Sequence, residues 1–113
     1  VASPINWADF DKVDMRVGRV KNVEPYPEAH RPSYLLQIDF GAEIGVKNSI
    51  AAIREQYSSS ELIGRSVVAV VNFPPRQIGK RRSYALVLAA VSDSGALRLL
   101  QPDKEIALGS RVR

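Results

Sequence analysis

The sequence predicts a mainly β protein, a small closed barrel of five strands with one short helix between the third strand and the fourth. Three observations carry that expectation. Val67 to Phe73 and Tyr84 to Val91 are apolar on both faces, where a half-exposed strand would alternate apolar with polar residues. Tyr34, Leu36, Ile38 and Phe40 share one strand face, with Leu35, Gln37 and Asp39 on the other. Between these groups, Ile50, Ile53 and Tyr57 recur at helical spacing.

Residues Val1 to Lys12 read as an irregular arm or short helical turn carrying Ile5, Trp7 and Phe10. Three such residues do not stay in water, so the arm is expected to dock on the body or on a neighbour. The first strand runs from Met15 to about Glu24, with Met15 and Val17 read as inward and Arg16 as outward. Its phase slips at Gly18 before Val20 and Val23, the mark of a bulge or sharp bend that helps close a barrel. Pro25, Pro27 and Pro32 make a stiff connection into the second strand, about Ser33 to Phe40. Gly41 to Gly45 turns the chain into a third strand, Ile44 to Asn48.

Asn48 or Ser49 is the expected cap of the helix marked by Ile50, Ile53 and Tyr57. Ser58 to Ser60 then forms a polar break, and Gly64 ends a turn that holds Leu62 and Ile63. The fourth and fifth strands are Val67 to Phe73 and Tyr84 to Val91. After a turn at Ser92 to Gly95, Leu97, Leu99 and Leu100 open an extended segment, and Ile106, Leu108 and Val112 alternate with polar residues. Three strands, a short helix and two strands is the element order of an oligonucleotide/oligosaccharide-binding (OB) barrel. Residues 1–113 read as one such domain, with an N-terminal arm (1–12) and a C-terminal extension (97–113).

An apolar fraction of 45% is ordinary for a folded chain and too high for disorder. No apolar run approaches the roughly 20 residues that cross a bilayer, so no membrane insertion is expected. Val1-Ala2-Ser3-Pro4 lacks the basic-then-apolar pattern of a signal peptide, and the absence of cysteine fits a cytoplasmic setting. His30 is the one histidine, in a proline-bounded loop without partners at ligand spacing, and reads as a surface residue. No serine lies in a nucleophile elbow, and no phosphate loop or dinucleotide fingerprint occurs. Neither a catalytic residue, a metal nor a cofactor is expected, and the chain reads as a binding protein.

The net charge of +4 matters less than its placement. Arg76, Lys80, Arg81 and Arg82 fall within seven residues that contain no acid, next to the stiff Phe73-Pro74-Pro75. Such a patch attracts phosphates or acidic peptide segments.

The chain resembles the tRNA-binding-domain family of OB folds, and within it the CsaA secretion chaperones. The resemblance is carried by Phe10 through Val20 (FDKVDMRVGRV), Ile38-Asp39-Phe40-Gly41, Ile44 through Ser49, Glu61 through Arg65, Val67 through Arg76, and Leu99 through Pro102. Asn72 followed by Phe-Pro-Pro-Arg points to the chaperone branch. One departure stands out: members that grip tRNA tightly tend to read Ser-Glu-Gly-Met where this chain has Ser83-Tyr84-Ala85-Leu86. The resemblance implies a cytoplasmic homodimer, joined through strand ends and terminal segments, that holds unfolded preproteins before export without ATP or metal.

Two binding readings follow. For peptides, Phe73, Pro74, Pro75 and Ile78 supply apolar contacts and Arg76 a charged rim, with Ile78 the apolar residue expected to be exposed. For nucleic acid, possible tRNA included, Lys47, Ser49, Arg76, Lys80, Arg81, Arg82 and Ser83 would reach phosphates or bases, and Tyr84 or Tyr34 would stack. The expected dimer interface comprises Ile5, Trp7, Phe10, Val68, Val70, Leu100, Ile106 and Leu108.

Overall fold

The computed structural model describes residues 1–113. A five-stranded antiparallel sheet curls into a nearly closed OB barrel in the order β3-β2-β1-β4-β7. Its strands are β1 (Met15–Pro25), β2 (Tyr34–Asp39), β3 (Val46–Ala51), β4 (Ser66–Val70) and β7 (Leu86–Val87). Two hairpins complete it: β5 (Arg76–Ile78) with β6 (Arg81–Ser83), and β8 (Ala89–Val91) with β9 (Leu97–Leu99). Helix α1 (Trp7–Asp11) precedes the barrel, and α2 (Ser59–Leu62) lies between β3 and β4. No helix is long and apolar enough to cross a membrane.

The long β1 serves two neighbours. Its first half pairs with β4 (Val17 opposite Val68) and its second half with β2 (Val23 opposite Leu36). The register slips between Val20 and Asn22, so the bulge falls at Lys21 and not at Gly18. Gly18 has a different duty. A Cβ there would lie 2.5 Å from Cγ2 of Ile38 and 2.7 Å from Cε1 of Phe40, so glycine lets the strand press onto the core. Gly18 and Val20 therefore face inward, whereas Val17 is buried outside the barrel cluster, which corrects the predicted phase of Met15 and Val17.

Leu36, Ile38, Phe40, Leu62 and Val67 fill the centre of the core. Leu62 comes from α2, a helix placed by a reciprocal cap: Glu61 N–H donates to Ser58 Oγ, and Ser58 N–H donates to Glu61 Oε1 at 2.8 Å. Ser58 N–H, and after it the Ser58 hydroxyl at 3.0 Å, bond the Glu61 carboxylate and hold it below the usual carboxylate range. The helix thus sits at the segment read as a polar break. Residues 50 and 51 instead complete β3, and Asn48 and Ser49 lie within that strand rather than capping a helix. The helical spacing of Ile53 and Tyr57 reflects a single turn, in which Tyr57 N–H donates to Ile53 O at 3.1 Å.

The fourth strand ends at Val70, sooner than its apolar run predicts. Beyond it, Asn72 accepts from Asp14 N–H at 3.0 Å and donates to Lys12 O at 2.7 Å, pinning the entry to β1. The predicted fifth strand breaks into β7 and β8 around Leu88. The C-terminal segment runs back along the free edge of β1. Val17 N–H donates to Ser110 O, Gly109 N–H to Val17 O, and Val112 N–H to Met15 O, all at 2.8–2.9 Å. Arg16 fixes that segment through Gly109 O at 3.0 Å, and its hydrogen bond to Asp14 at 2.6 Å pushes the guanidinium pKa up.

Candidate functional site: an apolar groove beside a cationic hairpin

The edge strands β3 and β7 form no ladder with each other. Three other bonds cross the seam: Ser49 Oγ donates to Ala85 O at 2.7 Å, Ile50 N–H to Ser83 Oγ at 3.0 Å, and Tyr84 N–H to Asn48 O at 2.9 Å. Above this end of the seam lies an open groove of about 530 Å³. It is lined by Phe73, Pro74, Pro75, Arg76 and Ile78 together with Ile50, Ser83, Tyr84, Ala85 and Leu86. All five residues expected to hold peptide therefore line one depression.

Their exposures differ from expectation. Phe73 is 53% exposed and does not plug the barrel, and Leu86, which the sequence reading left out, is 51% exposed. Ile78, expected to be the exposed apolar residue, is half-buried. Its backbone is held from beneath the hairpin, where the Tyr26 hydroxyl donates to the carbonyl oxygen of Ile78.

The segment read as a basic loop is the hairpin β5–β6, with Ile78 opposite Arg81 and a tip of Gly79 and Lys80. The loop after β1 grips that tip. Tyr26 accepts from Arg81 N–H at 3.1 Å, and Glu28 Oε1 accepts from Lys80 N–H at 3.2 Å. Gly79 has φ +61°, and a Cβ there would stand 2.7 Å from the Glu28 carboxylate. Conformation and space both require glycine. Tyr26 and Glu28 escaped the sequence reading because a tyrosine between prolines carries no periodic signal; their role depends on a contact across more than fifty residues.

The side-chain cations of Arg76, Lys80, Arg81 and Arg82 have no carboxylate within 4.0 Å, whereas those of Arg16, Arg19 and Arg111 are all paired with acids. Unneutralised cations on a held scaffold leave a local positive potential. Of the predicted nucleic-acid residues, Arg76, Ser83 and Tyr84 line the groove, while Lys80, Arg81 and Arg82 are exposed on the hairpin. Lys47 lies nearby in a separate notch that shares Tyr84. Ser49 must be withdrawn, since it is buried and its hydroxyl is held by Ala85. Tyr34 is likewise a core residue whose hydroxyl donates to Tyr57 O, so it cannot stack on a base.

The expected dimer residues divide in the same way. Trp7 is 86% exposed, and Ile5, Leu100 and Ile106 are also exposed, so among the arm's large apolar groups only Phe10 is partly covered, while Asp11 O and Lys12 O accept from Arg111 and Asn72. Leu108 is half-buried, its carbonyl lying close to Gly41. Val68 and Val70 are only 8% and 4% exposed within the single chain, which removes them from any surface. The outer face of β4 therefore needs no second copy to cover it.

Residues 15–111 match the family described as "Putative tRNA binding domain". Two solved structures match closely. One is the CsaA chaperone protein of Picrophilus torridus, with 44% identity, a TM-score of 0.90, and coverage of 97% of this chain and 100% of that one. The chain belongs to the CsaA/tRNA-binding-domain family. The chaperone CsaA of Bacillus anthracis agrees, with 41% identity, a TM-score of 0.91, and coverage of 98% of this chain and all of that one. This chain is thus a CsaA-like OB-fold module. Methionine–tRNA ligase of Pyrococcus furiosus is 35% identical over 109 residues, 96% of this chain. The chain spans only 14% of that ligase's length, so the relation is to one part of it.

Proposed function

We propose that the chain holds unfolded preproteins or extended peptides before export, as a homodimeric chaperone that uses neither ATP nor metal. The observation that carries this reading is the groove, in which more than half of Phe73 and of Leu86 meets solvent beside two prolines. A holdase needs apolar surface fixed on a stiff support, and charge around it to keep bound chains apart. Pro74 and Pro75 supply the stiffness, and Arg76 with the hairpin cations supplies the charge. The names of the CsaA relatives, both called chaperones, support it. The groove's lining is mostly apolar, which suits aliphatic and aromatic side chains of an extended segment.

Dimerisation would draw on Ile5, Trp7, Phe10, Leu100, Ile106 and Leu108. Two grooves on one particle would raise apparent affinity through effective concentration. A protein that meets preproteins before export works in the cytoplasm, so the reading places it there.

A second reading, tRNA binding, is favoured by the family description and by the four unpaired cations of the hairpin. The two readings separate by salt. Contact with about four phosphates gives a log–log slope of affinity on salt of about −3, while apolar peptide binding stays nearly flat. The test titrates one preparation with an unfolded signal-bearing peptide and with tRNA, each at two salt concentrations. The chaperone reading expects peptide binding with little salt dependence. Binding of tRNA alone would overturn it.

A further inference from the structure

The groove does not stop at the hairpin. Ile50, Arg76, Ile78 and Leu86 line both it and a second hollow of about 550 Å³ that follows the seam between β3 and β7. That hollow shares Ala29, His30 and Arg31 with a third notch of about 290 Å³, which Arg54 also lines. Shared walls make the three compartments neighbours along one face of the barrel.

Their chemistry changes along the way. The seam hollow is lined by Ile53, Val87, Leu97 and Leu99 among other aliphatic groups, no Phe, Tyr or Trp ring lines it, and its one ring is the imidazole of His30. The notch presents two guanidinium groups, Arg31 and Arg54, and neither has a carboxylate within 4.0 Å. The nearby acid Glu28 is engaged by Lys80 N–H instead. The backbone beneath the cations is fixed at three points. Ser33 Oγ donates to Arg31 O at 2.9 Å, Arg54 N–H donates to Pro32 O at 3.3 Å, and Tyr26 N–H donates to Ser33 O at 3.0 Å. Ser33 is buried, and Pro27 and Pro32 stiffen the loop on either side.

We propose that Arg31 and Arg54, with His30 at the rim, form a carboxylate-binding subsite at the far end of the peptide groove. Resting on the peptide-holding reading above, this adds a preference: an apolar stretch with an acidic residue at one end. The guanidinium fork matches a carboxylate in geometry as well as charge. In an extended segment every second side chain points the same way, so aliphatic groups enter the seam while a carboxylate reaches the notch. Charge alone would serve a nucleic-acid phosphate equally well. The aliphatic lining of the seam favours a peptide, because single-stranded nucleic acid is held by stacking successive bases on aromatic side chains and His30 is the one ring along this hollow.

The test measures fluorescence anisotropy with twin peptides: a labelled leucine–serine peptide carrying a glutamate pair at either end, and the same peptides with glutamine. Wild-type protein should favour a glutamate form by about threefold, the size of an exposed ion pair. In the variant Arg31→Gln with Arg54→Gln the twins should bind alike, while circular dichroism and thermal melting match wild type. Equal binding of the twins by wild type would overturn the subsite and leave the peptide reading standing. So would a preference that persists in the variant. If the variant instead loses affinity for a single-stranded oligonucleotide while the twins are unmoved, the notch belongs to phosphate and the proposal fails. Failure of every peptide to bind would bring down the peptide reading itself.

Discussion

The hydroxyl of Tyr26 accepts from the backbone N–H of Arg81 at 3.1 Å and donates to the carbonyl of Ile78, the residue opposite it in the hairpin. One phenol from a loop after β1 thus ties down both sides of the cationic hairpin that walls the groove. Deleting that hydroxyl leaves the buried ring in place and frees the hairpin tip. In Tyr26→Phe the Arg81 amide should exchange with solvent about five- to tenfold faster, in line with a hydrogen bond worth roughly 1 kcal/mol. Hydrogen exchange read by NMR checks this. An unchanged Arg81 amide would show that the strand pairing alone holds the hairpin.

Gly18 marks the tightest approach of strand to core. Gly18→Ala should destabilise the barrel by about 1–3 kcal/mol, because the added methyl meets Ile38 and Phe40 inside a filled interior. Chemical denaturation of the variant measures the cost. A stability within about 0.5 kcal/mol of wild type would mean that β1 can lift off the core, against the packing described.

The cap of α2 gives a pH dependence with a definite sign. Glu61 titrates below its ordinary range because Ser58 N–H and then Ser58 Oγ bond its carboxylate. The ionised cap therefore stabilises the fold above the ordinary carboxylate pKa, and that contribution is lost as pH falls through the depressed folded-state value. Glu61→Gln should flatten the acid limb of the melting-temperature profile relative to wild type. Parallel acid limbs in the two proteins would count against this cap.

Trp7 stands almost wholly in water on a helix with no buried residue of its own. Trp7→Ser with Ile5→Ser should shift sedimentation from dimer towards monomer at micromolar concentration and leave the barrel's melting profile intact. A wild-type monomer under the same conditions would remove the arm from the account.

Much of the barrel was legible because its signals are local and periodic. The alternation of Tyr34, Leu36, Ile38 and Phe40 places all four in the core, as β2 and its end require. Errors arose where a distant contact decides. Ile50 and Tyr57 have helical spacing, yet Ile50 lies in β3 and the helix begins at Ser59, where the Ser58–Glu61 pair carries the true start signal. Val68 and Val70 appeared to need a second copy because no strand pattern reveals how fully one chain covers its own outer face. The groove residues Phe73 to Arg76 stood out through proline stiffness and charge. Leu86 did not, because an apolar residue in an apolar strand gives no hint of which face stays open.

The most direct measurement is peptide affinity after the groove loses its two most open apolar groups. In Phe73→Ser with Leu86→Ser, an unfolded, signal-bearing peptide should bind at least about tenfold more weakly, as expected for removing roughly 1.5 kcal/mol or more of apolar contact. Melting temperature and tRNA binding should stay close to wild type. Undiminished peptide affinity in a folded double variant would contradict the account, because extended chains would then be held somewhere other than this groove.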